Sequence, residues 1–309
     1  LLERLLHWQV RRPLHAIRLG IAVAGVIALG VGWYDMLRDM RNAEQDTMER
    51  LRVQAIIQAR AAGEAVEGAI GRFDLALRAL QTAGAESAAD LSLQGRIIKA
   101  AMSSDLLLQA FVIGADGYLA YSSLGAAPRN YLGDREYFRT LAATDEDRLV
   151  IARPVIGRLS KKWSIQIARS IRHDGRFEGV AALAVSPEAW SSRLLRFEAN
   201  PLDTLTLLDG DGYVLLRTLN VNEHLAKQAP GEREYRLHPE RIEGHYVTHG
   251  AVDGVLRLYG WTRLPSGLGM LSGIALESAL EPLRTQRSRM LLRVVAASGL
   301  FVFAIAALL

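Results

Sequence analysis

LQAFVIGADGYLAYSS at residues 108–123 is followed, 95 residues on, by TLTLLDGDGYVLLRT at residues 204–218, with Asp116-Gly117-Tyr118 aligned on Asp211-Gly212-Tyr213. Each stretch is two runs of alternating apolar residues around an Asp-Gly pair, which reads as a β-hairpin closed by a tight turn. The segments after the two hairpins recur as well. LVIARPVIGRL (149–159), KKWSIQIARSI (161–171) and RFEGVAALAVS (176–186) read as three more strands, the last two hinged at His173-Asp174-Gly175. GHYVTHGAVDGVLRLYGWTRLPSGLGMLSGIAL (244–276) holds three further strands with a turn at Asp253-Gly254. The simplest account is two tandem copies of one α+β unit, each an antiparallel five-stranded sheet. A helical insertion, LGDREYFRTLAA (132–143), sits between the second and third strands of the first copy. A helix from Pro187 to about Ala199 joins the copies.

Upstream, residues 35–82 read as one long helix. They contain no Pro, and Ile56, Ala59, Gly63, Val66, Ile70, Phe73, Leu77 and Leu80 recur at helical three and four spacing. This helix continues from an uncharged run, LGIAVAGVIALGVGWY (19–34). A second apolar stretch closes the chain at 291–309, after a connecting helix at 277–290. Both read as membrane helices; sixteen residues of helix span about 24 Å, somewhat under a bilayer core. The competing readings are a cleaved signal peptide for the first and a buried core helix for the second. Arg4, Arg11, Arg12 and Arg18 precede the first span and place segment 1–18 in the cytoplasm. Arg284, Arg287, Arg289 and Arg293 argue the opposite at the second span, but a long intervening segment translocates largely regardless of charge. The expectation is a multi-pass inner-membrane protein with residues 35–288 outside the cytoplasm and lipid around its two ends. The chain begins at Leu1 and stops within an apolar run, so it is expected to be part of a longer protein.

Composition narrows the function. The 309 residues carry a net charge of +4, with much of the Arg excess beside the apolar ends, which points away from nucleic acid. The absence of Cys excludes a disulfide scaffold and a Cys-ligated metal. Asp209-Gly-Asp211-Gly-Tyr213 superficially suggests a calcium loop, but Val214 and Asn220 stand where that loop needs Gly and Glu. The seven His have no metal spacing. No nucleophile elbow, P-loop or dinucleotide motif is present. Neither a cofactor nor an enzyme is expected within these residues.

The layout, and the local motifs GDREYF (133–138) and ARPVIGRLSKKWSIQIARSIRHDGRFEGVAALAVSPEAW (152–190), resemble double Cache sensor regions of bacterial transmembrane receptors. The version resembled is the one found on GGDEF/EAL diguanylate cyclases and some histidine kinases. The resemblance covers about residues 15–309. It implies a membrane-distal PAS-like module (83–199) and a membrane-proximal one (200–276), with ligand on the distal sheet face under the helical insertion. On that basis Tyr121, Arg135, Tyr137, Phe138, Arg158, Trp163, Arg169 and Ser186 are the candidate ligand-binding residues. Guanidinium groups pair with carboxylates at two points, and aromatics offer an apolar body with a polar tip, so the set suits a small anionic metabolite such as a carboxylate. Amino-acid-sensing members carry an Asp on the last distal strand; here only Ser186 is near that place. Proximal Arg217, Tyr246 and Trp261 are weaker candidates. The implied function is small-molecule sensing that controls a cyclic di-GMP enzyme beyond Leu309, with a homodimer expected. The alternatives are the sensor of a histidine kinase or chemoreceptor, and a ligand-independent dimerising anchor.

Overall fold

A computed structural model describes residues 2–86, 88–125, 130–158, 161–251 and 253–308; the side chains of 2–18, 84–86, 88–89 and 308 are not described. The arginines expected to orient the first span, Arg4, Arg11, Arg12 and Arg18, thus have side chains outside the described residues, as does part of the expected third strand at 159–160. The elements in chain order are α1 (Leu2–Glu86), α2 (Ala88–Ala101), β1 (Leu107–Gly114), β2 (Leu119–Ser122), α3 (Glu136–Ala142), β3 (Val150–Ile151), β4 (Val155–Ile156), β5 (Trp163–His173), β6 (Arg176–Val185) and α4 (Pro187–Ser192). A 3₁₀ turn (Leu195–Phe197) leads to β7 (Thr204–Leu208), β8 (Val214–Arg217), α5 (Val221–His224), α6 (Glu234–Leu237), β9 (Glu243–His249), β10 (Leu256–Arg263), β11 (Gly269–Ala275) and α7 (Leu276–Leu308). The chain divides into two compact units, Arg52–Ala275 and the pair Leu1–Leu51 with Leu276–Leu309.

In the second of these, the start of α1 and α7 are each long and apolar enough to cross a membrane. Trp33 Nε1 donates to Ser298 Oγ at 3.1 Å. A Cβ on Gly25 would stand 2.5 Å from the Phe301 ring, so a larger residue there would require that side chain to move.

The unit Arg52–Ala275 holds two antiparallel sheets of matching topology. The first runs β2-β1-β6-β5-β3, with β4 also paired to β5; the second runs β8-β7-β11-β10-β9. The repeat extends to turn geometry. In both hairpins the Gly of Asp-Gly is left-handed (Gly117 φ 78°, Gly212 φ 84°) and its N–H bonds three residues back, to Gly114 and Asp209 respectively. Each turn is followed by a register shift in the ladder. This is a type I turn with a Gly bulge. The two-residue turn expected of Asp-Gly appears instead at Asp174-Gly175, where both residues have positive φ.

Two differences from the sequence reading have local causes. The expected third strand is broken into β3 and β4, giving the first sheet six strands. Pro154 cannot donate to a ladder. Its neighbour Arg153 leaves the sheet to bind Asp209 Oδ2 at 2.7 Å and Asp211 Oδ2 at 2.6 Å, with its guanidinium 3.7 Å from the centre of the Tyr213 ring. The acids that mimic a calcium loop therefore hold an arginine. The second difference is α2, where the sequence reading places no element. It covers β1 and β2 with Leu91 and Ile98 buried.

One face of α1 serves both sheets. Ala55, Ala59, Ala62, Val66, Phe73, Leu77 and Leu80 are buried, while Ile56 is half-buried and yields its expected place to Ala55. The small residues meet the second sheet closely: a Cβ on Gly260 of β10 would overlap the backbone of Ala55 and Ile56. The large residues fill the space under the first sheet, where Phe73 meets Trp190 edge-on at 5.2 Å. Full burial of each contributes roughly 1.5–3 kcal/mol. Two buried arginines tie strands to their surroundings. Arg169 of β5 binds Asp74 of α1 and, at 2.7 Å, Asp147 Oδ1. Arg257 of β10 is fully buried and grips both oxygens of Asp253 at 2.8 Å. Burial pushes the Asp74 carboxyl up, but the hydrogen bonds from Arg169 and Arg78 outweigh it and the net shift is downward.

Gly260→Ala is expected to destabilise Arg52–Ala275 by about 1–3 kcal/mol through overpacking against α1, read as a lower melting temperature of the detergent-solubilised chain by circular dichroism; an unchanged melting temperature would show that the close approach is absent. A second expectation concerns acid. The two-point bond from Arg257 holds the Asp253 carboxyl at about 2. A depressed folded-state pKa gives stability that is complete above the unfolded carboxylate value, about 4, and is lost as pH falls toward 2. Asp253→Asn should therefore be less stable than wild type at pH 7, with the gap closing below about pH 4. A gap that stays constant with pH contradicts this.

Candidate functional site

The first sheet has two faces. Ala110, Val112, Ile165, Ile167 and Leu183 belong to the core shared with α1, whereas Phe111, Ala168, Ala182 and Ala184 face the other way, toward α3. On that second face lies a cavity of about 40 Å³. Its floor is Gln109 and Phe111 of β1, Ser164 and Gln166 of β5, and Ala184 of β6; its cover is Asn130, Leu132, Arg135, Tyr137, Gly157 and Arg158.

Of the eight residues proposed from sequence, the structure brings three to this cavity. Arg135 caps the start of α3 and makes no side-chain hydrogen bond or ion pair among the described residues. Tyr137, two residues on, is buried, and desolvation pushes its phenol far above the ordinary range. Arg158 is half-exposed and already engaged, bonding Asp134 Oδ1 at 3.1 Å and Oδ2 at 2.5 Å and the carbonyl of Tyr131. It closes the loop 130–135 over the cavity, and its hydrogen bond lowers the Asp134 carboxyl.

The other five lie elsewhere. Phe138 is buried against Phe177, ring centres 5.6 Å apart, beside the cavity but not lining it. Tyr121 pairs with Val112 and so faces the helices; its hydroxyl occupies the space a Cβ on Gly95 of α2 would need. Arg169 shares the parity of Ile165 and Ile167 and is consumed by Asp74 and Asp147. Trp163 and Ser186 border a separate open groove. Ser186 caps α4, its Oγ accepting from the Ala189 N–H at 3.1 Å. For Trp163 and Arg169 the reason is the strand period of two: odd-numbered positions of β5 lie on the α1 face.

Sequence reasoning missed the polar floor. Gln109 Nε2 donates to Ser122 Oγ and Gln166 Nε2 to Ser164 Oγ, each at 2.9 Å. Gln166 Oε1 and Asn130 Nδ2 are buried without partners among the described residues. The alternation Ser164-Gln166-Ala168 against Ile165-Ile167 carried this signal, since two polar residues on one face of a buried strand need an explanation. The second sheet has a larger cavity, about 290 Å³, on its corresponding face. Of the three weaker candidates, Arg217 and Tyr246 line it; Trp261 is fully buried in the core beside Tyr235, 5.6 Å between rings.

No family model and no curated protein matches the sequence. Solved structures do. The extracellular domain of a histidine kinase, rpHK1S-Z16, superposes with a TM-score of 0.64 at 22% identity, covering 77% of this chain and 98% of that one. The ligand-binding domain of the Pseudomonas aeruginosa amino acid chemoreceptor PctB, in complex with L-arginine, gives 0.57 at 16% identity, over 76% and 97%. The sensory domain of a Campylobacter jejuni chemoreceptor with isoleucine bound gives 0.55 at 11%, over 77% and 97%.

Arg169→Ala is expected to cost about 1–3 kcal/mol, because it removes the buried guanidinium that joins β5 to Asp74 and Asp147, although both carboxylates keep Arg78, whereas Arg135→Ala should change stability by no more than about 0.5 kcal/mol; urea unfolding of both variants reads the difference, and equal losses would refute the assignment of Arg135 as unpartnered. The fold is the one shared by the extracellular domain of that histidine kinase and the ligand-binding and sensory domains of those chemoreceptors.

Proposed function

We propose that the chain is the extracytoplasmic sensing region of a transmembrane receptor and that its first-sheet cavity receives a small polar ligand with an anionic group, such as a carboxylate. The observation that carries this is the concentration around one pocket of polar groups without partners among the described residues: the buried Asn130 Nδ2 and Gln166 Oε1, and the half-exposed Arg135 guanidinium. Buried polar groups without partners are uncommon and costly, and a ligand supplying both an acceptor and a donor satisfies them. Among the described residues no carboxylate lines the cavity, so a ligand ammonium group finds no ionic partner among them. PctB and the Campylobacter jejuni receptor bind amino acids; the ligand here is read as anionic rather than zwitterionic.

At about 40 Å³ the cavity is well below the volume of ordinary ligand sites. Entry then requires the loop 130–135 to lift, which breaks the Arg158–Asp134 pair. Binding shifts the balance between closed and lifted loop only by the ligand's difference in affinity for the two. α1 leads from the sheet core toward the first candidate membrane span and so offers a continuous element to carry the change. A homodimer in the inner membrane, reading the signal by altered pairing of two output domains, fits this mechanism. For the output, a histidine kinase or chemoreceptor is supported by the neighbours at least as well as a cyclic di-GMP enzyme.

The test is calorimetric titration of the full chain in nanodiscs with a panel of organic acids, amino acids and amines. A carboxylate should bind saturably, Arg135→Ala should weaken it by about 10- to 100-fold, and Asp134→Asn, which frees the loop, should speed association. Binding indifferent to Arg135, or confined to amines, would overturn the assignment.

A further inference from the structure

The cavity of the second sheet is built differently from the first. Its volume, about 290 Å³, lies at the lower edge of the range for small-molecule sites. Its walls are mostly apolar: Leu208, Val214 and Leu271 from the sheet, and Tyr246 stacked on Tyr259 with ring centres 5.3 Å apart. Set into those walls is Arg217 of β8, only 7% exposed. The guanidinium donates through Nε to the Leu219 carbonyl at 3.0 Å and through Nη1 to Thr206 Oγ1 at 3.3 Å; Nη2 has no hydrogen-bond partner among the described residues. Among the described residues no carboxylate forms an ion pair with it. Asp253, whose charge reaches Arg217, is gripped at both oxygens by Arg257.

A buried cation with no ion-paired carboxylate among the described residues is uncommon and costly; burial lowers the guanidinium's pKa, partly offset by the Tyr259 hydroxyl and by the more distant charges of Asp253 and Glu198. The rest of the rim adds positive charge. Lys227 and Arg233 line the opening, and among the described residues no Asp or Glu does. Arg233 is partly spent on Thr248 and the His249 carbonyl. His224 lines the same cavity with Nε2 lacking a hydrogen bond, its 3.6 Å approach to Glu223 being too long for one. Its pKa is lowered by burial and by the Arg217 and Lys227 charges, so it adds a neutral polar group.

We infer that this second-sheet cavity is a separate ligand site, selective for a small monocarboxylate with an aromatic or short aliphatic body: the carboxylate against Arg217, the body between the Tyr246–Tyr259 pair and the leucines, Lys227 at the entrance. The site is independent of the first-sheet reading, since it shares no residue with that cavity.

The probes are benzoate and phenylacetate, with benzamide and benzylamine as neutral and cationic controls, titrated calorimetrically against the full chain in nanodiscs. At least one of the two carboxylates should bind saturably and raise the melting temperature, with both controls at least about tenfold weaker. Arg217→Gln should weaken binding by about 10- to 100-fold, as expected for loss of a charged hydrogen-bond donor. Lys227 is exposed, so Lys227→Gln leaves folding intact and should weaken binding by a few-fold, more so at low salt. Arg135→Ala should leave binding unchanged. Failure of both carboxylates to saturate, equal binding of benzamide, or insensitivity to both Arg217→Gln and Lys227→Gln overturns the proposal. Loss of binding in Arg135→Ala alone would move the carboxylate to the first sheet and reject this site while leaving the first-sheet reading standing.

Discussion

Two sheets depend on one buried stripe of α1. Small residues at its lower end allow backbone contact with the second sheet, and large ones at its upper end fill the volume beneath the first. The gradient from Ala55 and Ala59 to Phe73, Leu77 and Leu80 thus sets how closely each sheet lies against the helix. Because residues of α1 and of both sheets form one contiguous apolar cluster, neither sheet has a core of its own on the helix side. Each sheet's opposite face is then free to carry polar groups and a cavity.

This division of labour explains the placement of the arginines. Arg169 and Arg257 are matched with carboxylates, Asp74 with Asp147 and Asp253 respectively, and serve the frame. Arg153 links the β3–β4 break to the second hairpin through Asp209 and Asp211. Arg135 and Arg217 form no ion pair among the described residues, and both border cavities. Pairing, more than burial or position in a motif, separates structural from available guanidinium groups, since a matched charge has little left to offer a ligand.

The fold was legible because its signals are periodic. Asp-Gly pairs at a fixed offset revealed the repeat, and the three-four spacing of Ile70, Phe73, Leu77 and Leu80 revealed α1 with its buried face. The candidate site was legible mainly through its local motifs: Arg135 and Tyr137 fall at the cavity because GDREYF leads into the helix over the sheet, and Arg158 of RPVIGR joins them. The strand residues went astray because which face of β5 meets α1 is settled by tertiary packing; reversed, Trp163 and Arg169 would have faced the cavity and Ser164 and Gln166 the helix. The break at Pro154 was readable from the residue itself. The availability of Arg217 was not, because it depends on Asp253 being taken by Arg257, far along the chain.

The central claim is that both sheets and α1 form one mechanical body, so that what happens on either sheet face reaches the helix. Native-state hydrogen exchange by mass spectrometry of the full chain, wild type against Gly260→Ala, tests it most directly. The substitution touches only the second sheet and residues 55–56 of α1. The account predicts faster exchange along the whole buried stretch from 55 to 80, including the segment under the first sheet. Loss of protection confined to the lower end, with residues 73–80 exchanging as in wild type, would contradict it.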